Sequence, residues 1–130
     1  MQRTPRVSVV IPVRDRPREL ARALASVLAQ SEARWECLVV DDGSGAATLE
    51  VARDHAARDP RVRLVELPRP GGPNAARNAG IREARAPWVA FLDSDDELAP
   101  RSLEARIHAA RAFHGARGLA PGVVYGWHEE

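Results

Sequence analysis

The chain has 130 residues, 45% of them hydrophobic and 28% charged, with a formal net charge of +1. This length suits one domain with a single core, and so small a net charge produces no field that would recruit nucleic acid. All nineteen basic residues are arginine, and the single cysteine, Cys37, excludes an internal disulfide and a paired-cysteine zinc site. We expect Cys37 to be a small buried hydrophobe.

Five short runs of β-branched or aromatic residues predict β-strands. In chain order they span residues 7–11, 37–40, 62–67, 88–92 and 122–125. The first, second and fourth runs are mostly without polar alternation, which predicts strands buried on both faces of a sheet. The run at 62–67 alternates between apolar and polar residues, so we expect it nearer a sheet edge.

Segments with helical spacing lie between these runs. The clearest begins at Arg16-Pro17, and its apolar stripe consists of Leu20, Ala23, Leu24, Val27 and Leu28. Further helices are predicted at about 46–58, 74–85 and 101–114. This alternation requires crossovers between parallel strands and predicts an open, doubly wound, mostly parallel α/β sheet. Ligands of such sheets bind beyond the carboxyl ends of the strands, where strand order reverses.

Acidic residues follow three of the predicted strands. Parallel strands would bring six carboxylates to one edge of the sheet, namely Asp15, Asp41, Asp42, Asp93, Asp95 and Asp96. Their mutual repulsion favours a bound cation or a positive side chain, although each aspartate alone is also explained as a turn former or helix cap. Oxygen ligands without Cys or His suit Mn²⁺ or Mg²⁺, which complete their coordination with substrate phosphates and water. The run at 93–96 therefore predicts a metal–diphosphate site.

A glycine-rich segment, G-G-P-N-A-A-R-N-A-G at 71–80, carries the complementary charge. Its glycines predict a tight loop and a helix beginning near Pro73, which places Arg77 about one turn inside that helix. From there the guanidinium could reach a phosphate or a base carbonyl with a geometry that lysine does not reproduce. The alternative is an exposed arginine on an alanine-rich helix.

Four blocks, in order and spacing, resemble glycosyltransferase family 2. They are V-S-V-V-I-P-V at 7–13, V-V-D-D-G-S at 39–44, G-G-P-N-A-A-R-N-A-G-I at 71–81 and F-L-D-S-D-D at 91–96. The resemblance covers essentially the whole chain. It implies a Rossmann-like GT-A fold and inverting transfer of a sugar from a nucleotide diphosphate donor, with UDP as the family expectation and Mn²⁺ or Mg²⁺ as cofactor.

The resemblance also implies roles for single residues at the nucleotide. Pro12 and Val13 resemble the backbone shelf beside the nucleoside, and Asp41 resembles the carboxylate that faces the base. Arg77 resembles the basic contact to nucleotide or diphosphate. Many members have an aromatic residue and asparagine where this chain has Arg14 and Asp15. An arginine at that position could lie flat against a base, and Asp15 is counted with the donor-binding residues.

At the metal, the resemblance implies that Asp95 is the principal ligand and that Asp93 lies near both ribose and metal. Asp42 is counted with the donor-binding residues, but Asp42 and Asp96 could each instead stand behind the ligands or form a turn. No catalytic residue is identified. In the family the general base is an acidic residue well beyond the DxD run, so we expect it past Glu130.

The expected organisation is a single truncated domain over 1–130. It would be the donor-binding part of a glycosyltransferase or, alternatively, an incomplete fragment that only binds nucleotide sugar or acts as an interaction module. His128 and Glu129 are interpreted as a terminal tail and not as the base. A sheet edge left bare predicts self-association. The partners implied are the nucleotide sugar and a carbohydrate or lipid-linked acceptor.

Other nucleotide-binding classes are excluded by particular residues. Receiver domains and P-loop enzymes use a lysine, which this chain lacks, and a dehydrogenase would carry G-x-G-x-x-G where residues 12–17 read P-V-R-D-R-P. The start does not resemble a signal peptide, and no segment approaches the roughly 20 apolar residues of a membrane helix. We expect a cytoplasmic location, with peripheral attachment to the inner face of the membrane as the alternative.

Overall fold

The computed structural model describes residues 4–117 and 123–124. Strands and helices alternate along this part of the chain, as predicted. The strands are β1 (Val7–Val13), β2 (Trp35–Asp41), β3 (Val62–Glu66), β4 (Trp88–Phe91) and β5 (Val123–Val124). The helices are α1 (Pro17–Leu28), α2 (Ala46–Arg58), α3 (Gly72–Glu83) and α4 (Ser102–Arg117).

The five strands form one sheet in the order β3-β2-β1-β4-β5, and every pairing is parallel. The predicted doubly wound α/β class is confirmed, and β3 lies at an edge of this described sheet. The chain builds outward from β1 through β2 to β3 and then returns to the other side of β1 to form β4. Strand order therefore reverses between β1 and β4, which is where such sheets bind ligands. Self-association through a sheet edge stays a prediction.

Hydrophobic clusters fill both faces of the sheet. Val9 and Ile11 of β1 belong to a cluster that includes residues of α1, α2 and α4. Val10 belongs to a second cluster with Ala76 and Ala79 of α3. Successive strand residues point to opposite faces, so the unbroken apolar run of β1 is buried on both sides, as predicted. Cys37 is fully buried as well, and burial raises the pKa of its thiol.

Leu28 differs from its predicted place in the core, because it is 40% exposed. It is the last residue of α1 and lies ~80° around the helix axis from Leu20, which is fully buried. The other four members of the predicted stripe are buried. The apolar stripe of α1 is therefore narrower than the sequence suggests.

β1 also continues two residues further than predicted, through Pro12 to Val13. The carbonyl of Val10 accepts a hydrogen bond from Leu92, whereas that of Val13 accepts one from Asp42. The backbone N and O atoms of Pro12 therefore point towards β4, as those of Val10 do. The last residue of β1 that pairs with β4 is Val10, so Pro12 lies beyond the paired part of that ladder. Its missing N–H costs no ladder hydrogen bond there, so proline is tolerated in this central strand.

Gly80 is required where α3 crosses β1. A Cβ atom added at Gly80 would lie 2.9 Å from Cγ2 of Val10 and closer still to Cγ1. Val10 is fully buried and β-branched, so it has little freedom to move aside. Overpacking should outweigh the ~1 kcal/mol by which alanine is favoured over glycine inside a helix. We expect Gly80→Ala to lower the free energy of unfolding by about 1–3 kcal/mol in chemical denaturation.

Gly45→Ala is the matched control for this prediction. Its added Cβ would meet only the Asp15 carboxylate, at 3.7 Å, which is an ordinary contact distance. Gly45 is the N-cap of α2, where alanine is less favourable than glycine, so we expect the control to lower the free energy of unfolding by no more than about 1 kcal/mol. Equal denaturation midpoints for the two variants would show that the approach of α3 to β1 is not a tight one.

Candidate functional site

A cavity of about 400 Å³ opens at the carboxyl ends of β1 and β4. Its walls come from the segment after β1, the residue after β2, the start of α3 and the segment after β4. Six of the eight predicted site residues line it, namely Pro12, Val13, Asp42, Arg77, Asp93 and Asp95, whereas Asp15 and Asp41 do not. The cavity therefore lies where strand order reverses between β1 and β4, the switch point of the sheet, as the sequence predicts.

Three carboxylates converge beside this cavity, and those of Asp93 and Asp95 line it. One oxygen from each of Asp93, Asp95 and Asp96 lies within 4.8 Å of the other two. The turn that follows β4 brings them together, because the amide of Asp96 donates to the carbonyl of Asp93 at 3.0 Å. Oxygen donors at this spacing fit a small hard cation such as Mn²⁺ or Mg²⁺. Asp96, which the sequence leaves open, thus joins the two predicted ligands.

Two arginines flank these carboxylates. Nη2 of Arg77 lies 3.5 Å from Oδ1 of Asp93, and Nη1 of Arg16 lies 3.7 Å from Oδ2 of Asp95. The side chains of Asp93 and Asp95 are 50% and 55% exposed, so each pair contributes no more than about 1 kcal/mol. Arg77 sits one turn inside α3, as predicted. Arg16 was not predicted as a site residue.

Asp42 and Asp15 shape the loops around the cavity. The carboxylate of Asp42 accepts hydrogen bonds from the amides of Gly71 at 2.8 Å and Gly72 at 3.1 Å, which fixes the start of α3. The carboxylate of Asp15 accepts from the amide of Gly45 at 2.8 Å. Asp15 has a φ of 50°, a left-handed conformation that aspartate tolerates better than most residues. Both carboxylates are therefore satisfied by backbone donors.

Asp41 lies behind the cavity and is 4% exposed. Its Oδ2 accepts hydrogen bonds from the amides of Gly43 at 3.2 Å and Ser44 at 3.1 Å. Gly43 has a φ of 88°, which only glycine adopts without strain in this turn. Oδ1 of Asp41 is buried and has no hydrogen-bond partner in the described part of the chain. The turn after β2 therefore satisfies one of the two carboxylate oxygens of Asp41.

A second cavity, of about 570 Å³, lies at the opposite end of the sheet. It is larger and richer in arginine, but four of its charged groups form two ion pairs with one another. Arg61 is held by Asp59 at 2.8 Å and covers the ring of Trp35, while Arg63 is held by Glu36 at 2.9 Å. The cavity at the switch point is therefore the better candidate for chemistry.

Comparison with known proteins identifies the family. Residues 8–123 match the family described as glycosyl transferase family 2. The chain belongs to this family. The matched residues include β2, β3 and β4 in full and all four segments that wall the cavity.

Among family 2 relatives, the succinoglycan biosynthesis protein ExoO of Rhizobium meliloti is 43% identical over 112 residues, which are 86% of this chain and 32% of ExoO. S. aureus TarS in complex with UDP superimposes with a TM-score of 0.73 at 27% identity, over 87% of this chain and 33% of that one. A mannosyltransferase from Pyrobaculum calidifontis, in complex with GDP-Man and Mn²⁺, gives a TM-score of 0.69 at 27% identity, over 79% and 31%. The GT-A-like class is confirmed.

The chain spans about a third of the length of ExoO and of residues 1–349 of TarS. The general base expected past Glu130, and the tail residues His128 and Glu129, lie outside the described residues. In the part of this family 2 chain that the structure describes, none of the helices is both long and apolar enough to cross a membrane.

Proposed function

We propose that this chain binds the donor of a glycosyl transfer, a nucleotide diphosphate sugar whose nucleotide is UDP, together with Mn²⁺ or Mg²⁺. The observation that carries the proposal is the meeting of Asp93, Asp95 and the guanidinium of Arg77 in one cavity at the switch point, with the carboxylate of Asp96 beside them. A divalent ion offsets the repulsion between the carboxylates, and the diphosphate supplies further oxygen ligands. TarS, with UDP, and the mannosyltransferase, with GDP-Man and Mn²⁺, bind ligands of these classes.

Asp95 and Asp93 would hold the metal, with Asp96 as the third carboxylate. Arg77 is one turn inside α3 and faces Asp93, so its guanidinium would meet the diphosphate beside the metal. The bound ion would supply electrostatic stabilisation of the leaving diphosphate. Arg77 adds a fixed positive charge to the same oxygens.

The nucleoside would lie against Pro12 and Val13, which line the cavity at the end of β1. Asp41 is assigned to the base on the resemblance of V-V-D-D-G-S at 39–44 to the corresponding block of the family. Arg14 lines the same wall and forms no ion pair with any other described residue. Its planar guanidinium is suited to stacking on the base in place of the aromatic residue of many members.

The reaction proposed for the whole protein is an inverting transfer. An acceptor hydroxyl of a carbohydrate or lipid-linked glycan attacks the anomeric carbon in line with the departing diphosphate, and a general base takes the hydroxyl proton. The residues around the cavity serve the donor side of this reaction. A cytoplasmic location, where nucleotide sugars are used, goes with the proposal, and peripheral attachment to the membrane would bring a lipid-linked acceptor within reach.

Thermal unfolding of the 130-residue chain tests donor binding. We expect UDP with Mn²⁺ to raise the midpoint, because a ligand at about 100 times its Kd stabilises the native state by about 2.7 kcal/mol. The same UDP in EDTA, and Mn²⁺ alone, should have much smaller effects. Equal protection by UDP with and without Mn²⁺ would rule out the metal–diphosphate site.

A further inference from the structure

Arg16 lies at the amino end of α1 and lines the cavity beside the carboxylates. It is the N-cap residue, and its carbonyl accepts a hydrogen bond from the amide of Leu20 at 2.9 Å, which fixes its backbone. Its Nη1 lies 3.7 Å from Oδ2 of Asp95, the carboxylate proposed as the principal metal ligand. The side chain of Arg16 is 51% exposed, so it is free to change its direction.

Both proposed metal ligands are thus paired with a guanidinium, Asp95 with Arg16 and Asp93 with Arg77. A divalent ion bound by the same carboxylate oxygens would repel these guanidinium groups. The two ion pairs carry no net formal charge. A divalent ion adds two positive charges beside them, and the diphosphate of a nucleotide sugar offsets these.

We infer that Arg16 exchanges partners, holding Asp95 before the metal binds and contacting the diphosphate afterwards, so that it couples metal binding to nucleotide binding. The inference rests on the proposed function. An exposed ion pair contributes only about 0–1 kcal/mol, so the metal can displace Arg16. The released guanidinium then gains the stronger, charge-assisted hydrogen bonds that phosphate oxygens offer.

Arg16→Gln separates the two halves of this exchange. Mn²⁺ alone should bind the variant about two- to fivefold more tightly, because Arg16 no longer competes for Asp95. UDP should bind the Mn²⁺-loaded variant about tenfold more weakly, because a charge-assisted contact is lost. The factor by which Mn²⁺ increases UDP affinity should therefore fall. Mn²⁺ binding is followed by the electron paramagnetic resonance signal of the free ion, and UDP binding by calorimetry.

Two variants make the result specific. Arg18→Gln removes the same charge from an exposed position two residues further on, outside the cavity, and should leave both affinities unchanged. Arg16→Lys keeps the charge without the planar fork and should recover part of the UDP affinity. If Arg16→Gln leaves Mn²⁺ affinity unchanged or lowers it, the proposed exchange of partners by Arg16 is wrong, but the proposal that the chain binds the donor is unaffected. If the unmodified chain binds neither Mn²⁺ nor UDP, the proposed function fails with it.

Discussion

Asp95→Asn is expected to lower the affinity of the chain for UDP in Mn²⁺ by about 100-fold or more, since even residues behind metal ligands typically contribute 10- to 100-fold. Asparagine keeps the shape of the side chain but removes the negative charge that holds the ion. The side chain of Asp95 is 55% exposed, so the free energy of unfolding without ligand should stay within about 0.5 kcal/mol of the original. Calorimetric titration with UDP at saturating Mn²⁺ measures the loss.

Asp54→Asn provides the control for this loss. Asp54 is 52% exposed and pairs with Arg58 on α2, so the substitution makes the same chemical change outside the cavity. It should leave UDP affinity unchanged. In EDTA, the Asp95 variant and the original chain should bind UDP equally weakly. If Mn²⁺ increases the UDP affinity of Asp95→Asn by the same factor as in the original chain, Asp95 is not a metal ligand.

The position of the site follows from the sequence because it depends on the strands being parallel, which the alternation of strands and helices predicts. Buried runs at β1, β2 and β4 each end in polar residues, and parallel pairing brings those ends to one edge. Six of the eight predicted residues consequently line one cavity. The same topology explains why Arg77, far along the chain from Pro12, faces it across the switch point.

The functions of individual carboxylates depend on loop geometry, which local sequence does not specify. Asp42 accepts hydrogen bonds from Gly71 and Gly72, 29 and 30 residues away, and these partners are known only once the loops have packed together. Asp96 reaches the cluster through a single turn after β4. The signal for Arg16 in the sequence is its place at the start of α1, next to the acidic edge of the sheet.

Glu36 is a charged residue inside the otherwise apolar strand β2, and its role is not predicted from the sequence. It is 5% exposed and lies at the amino end of the sheet. Its carboxylate accepts hydrogen bonds from the hydroxyl of Ser8 at 2.5 Å, the amide of Arg85 at 2.6 Å and the guanidinium of Arg63 at 2.9 Å. Ser8 in turn accepts from the amide of Ala86 at 3.1 Å. The carboxylate thus joins β1, β2 and β3 to the segment before β4.

Glu36→Gln should lower the free energy of unfolding by about 3 kcal/mol, because the amide cannot accept three hydrogen bonds and leaves Arg63 without its buried counter-ion. Chemical denaturation at neutral pH measures the change. Glu83→Gln is the control, since Glu83 also approaches Arg63, at 3.8 Å, but is 54% exposed. That variant should stay within about 0.5 kcal/mol of the original. Equal losses in the two variants would mean that the buried network contributes little.

The same network predicts how stability depends on pH. Burial of Glu36 alone would raise its pKa, but hydrogen bonds from Ser8, Arg85 and Arg63 outweigh burial and hold the pKa below its ordinary value of 4.5. The unfolded chain therefore takes up this proton first as the pH falls. The stability that Glu36 contributes is complete above about pH 4.5 and is lost as the pH falls through the pKa of the folded state.

As the pH is lowered below about 4.5, the free energy of unfolding should therefore decrease less steeply for Glu36→Gln than for the original chain, as measured by chemical denaturation at each pH. Identical slopes would show that Glu36 does not titrate between folded and unfolded states. Because Glu36 lies at the end of the sheet opposite Asp95, the folded Glu36 variant should keep its affinity for UDP and Mn²⁺. Asp95→Asn is thus expected to weaken UDP binding without changing the free energy of unfolding, and Glu36→Gln to lower the free energy of unfolding without changing UDP binding.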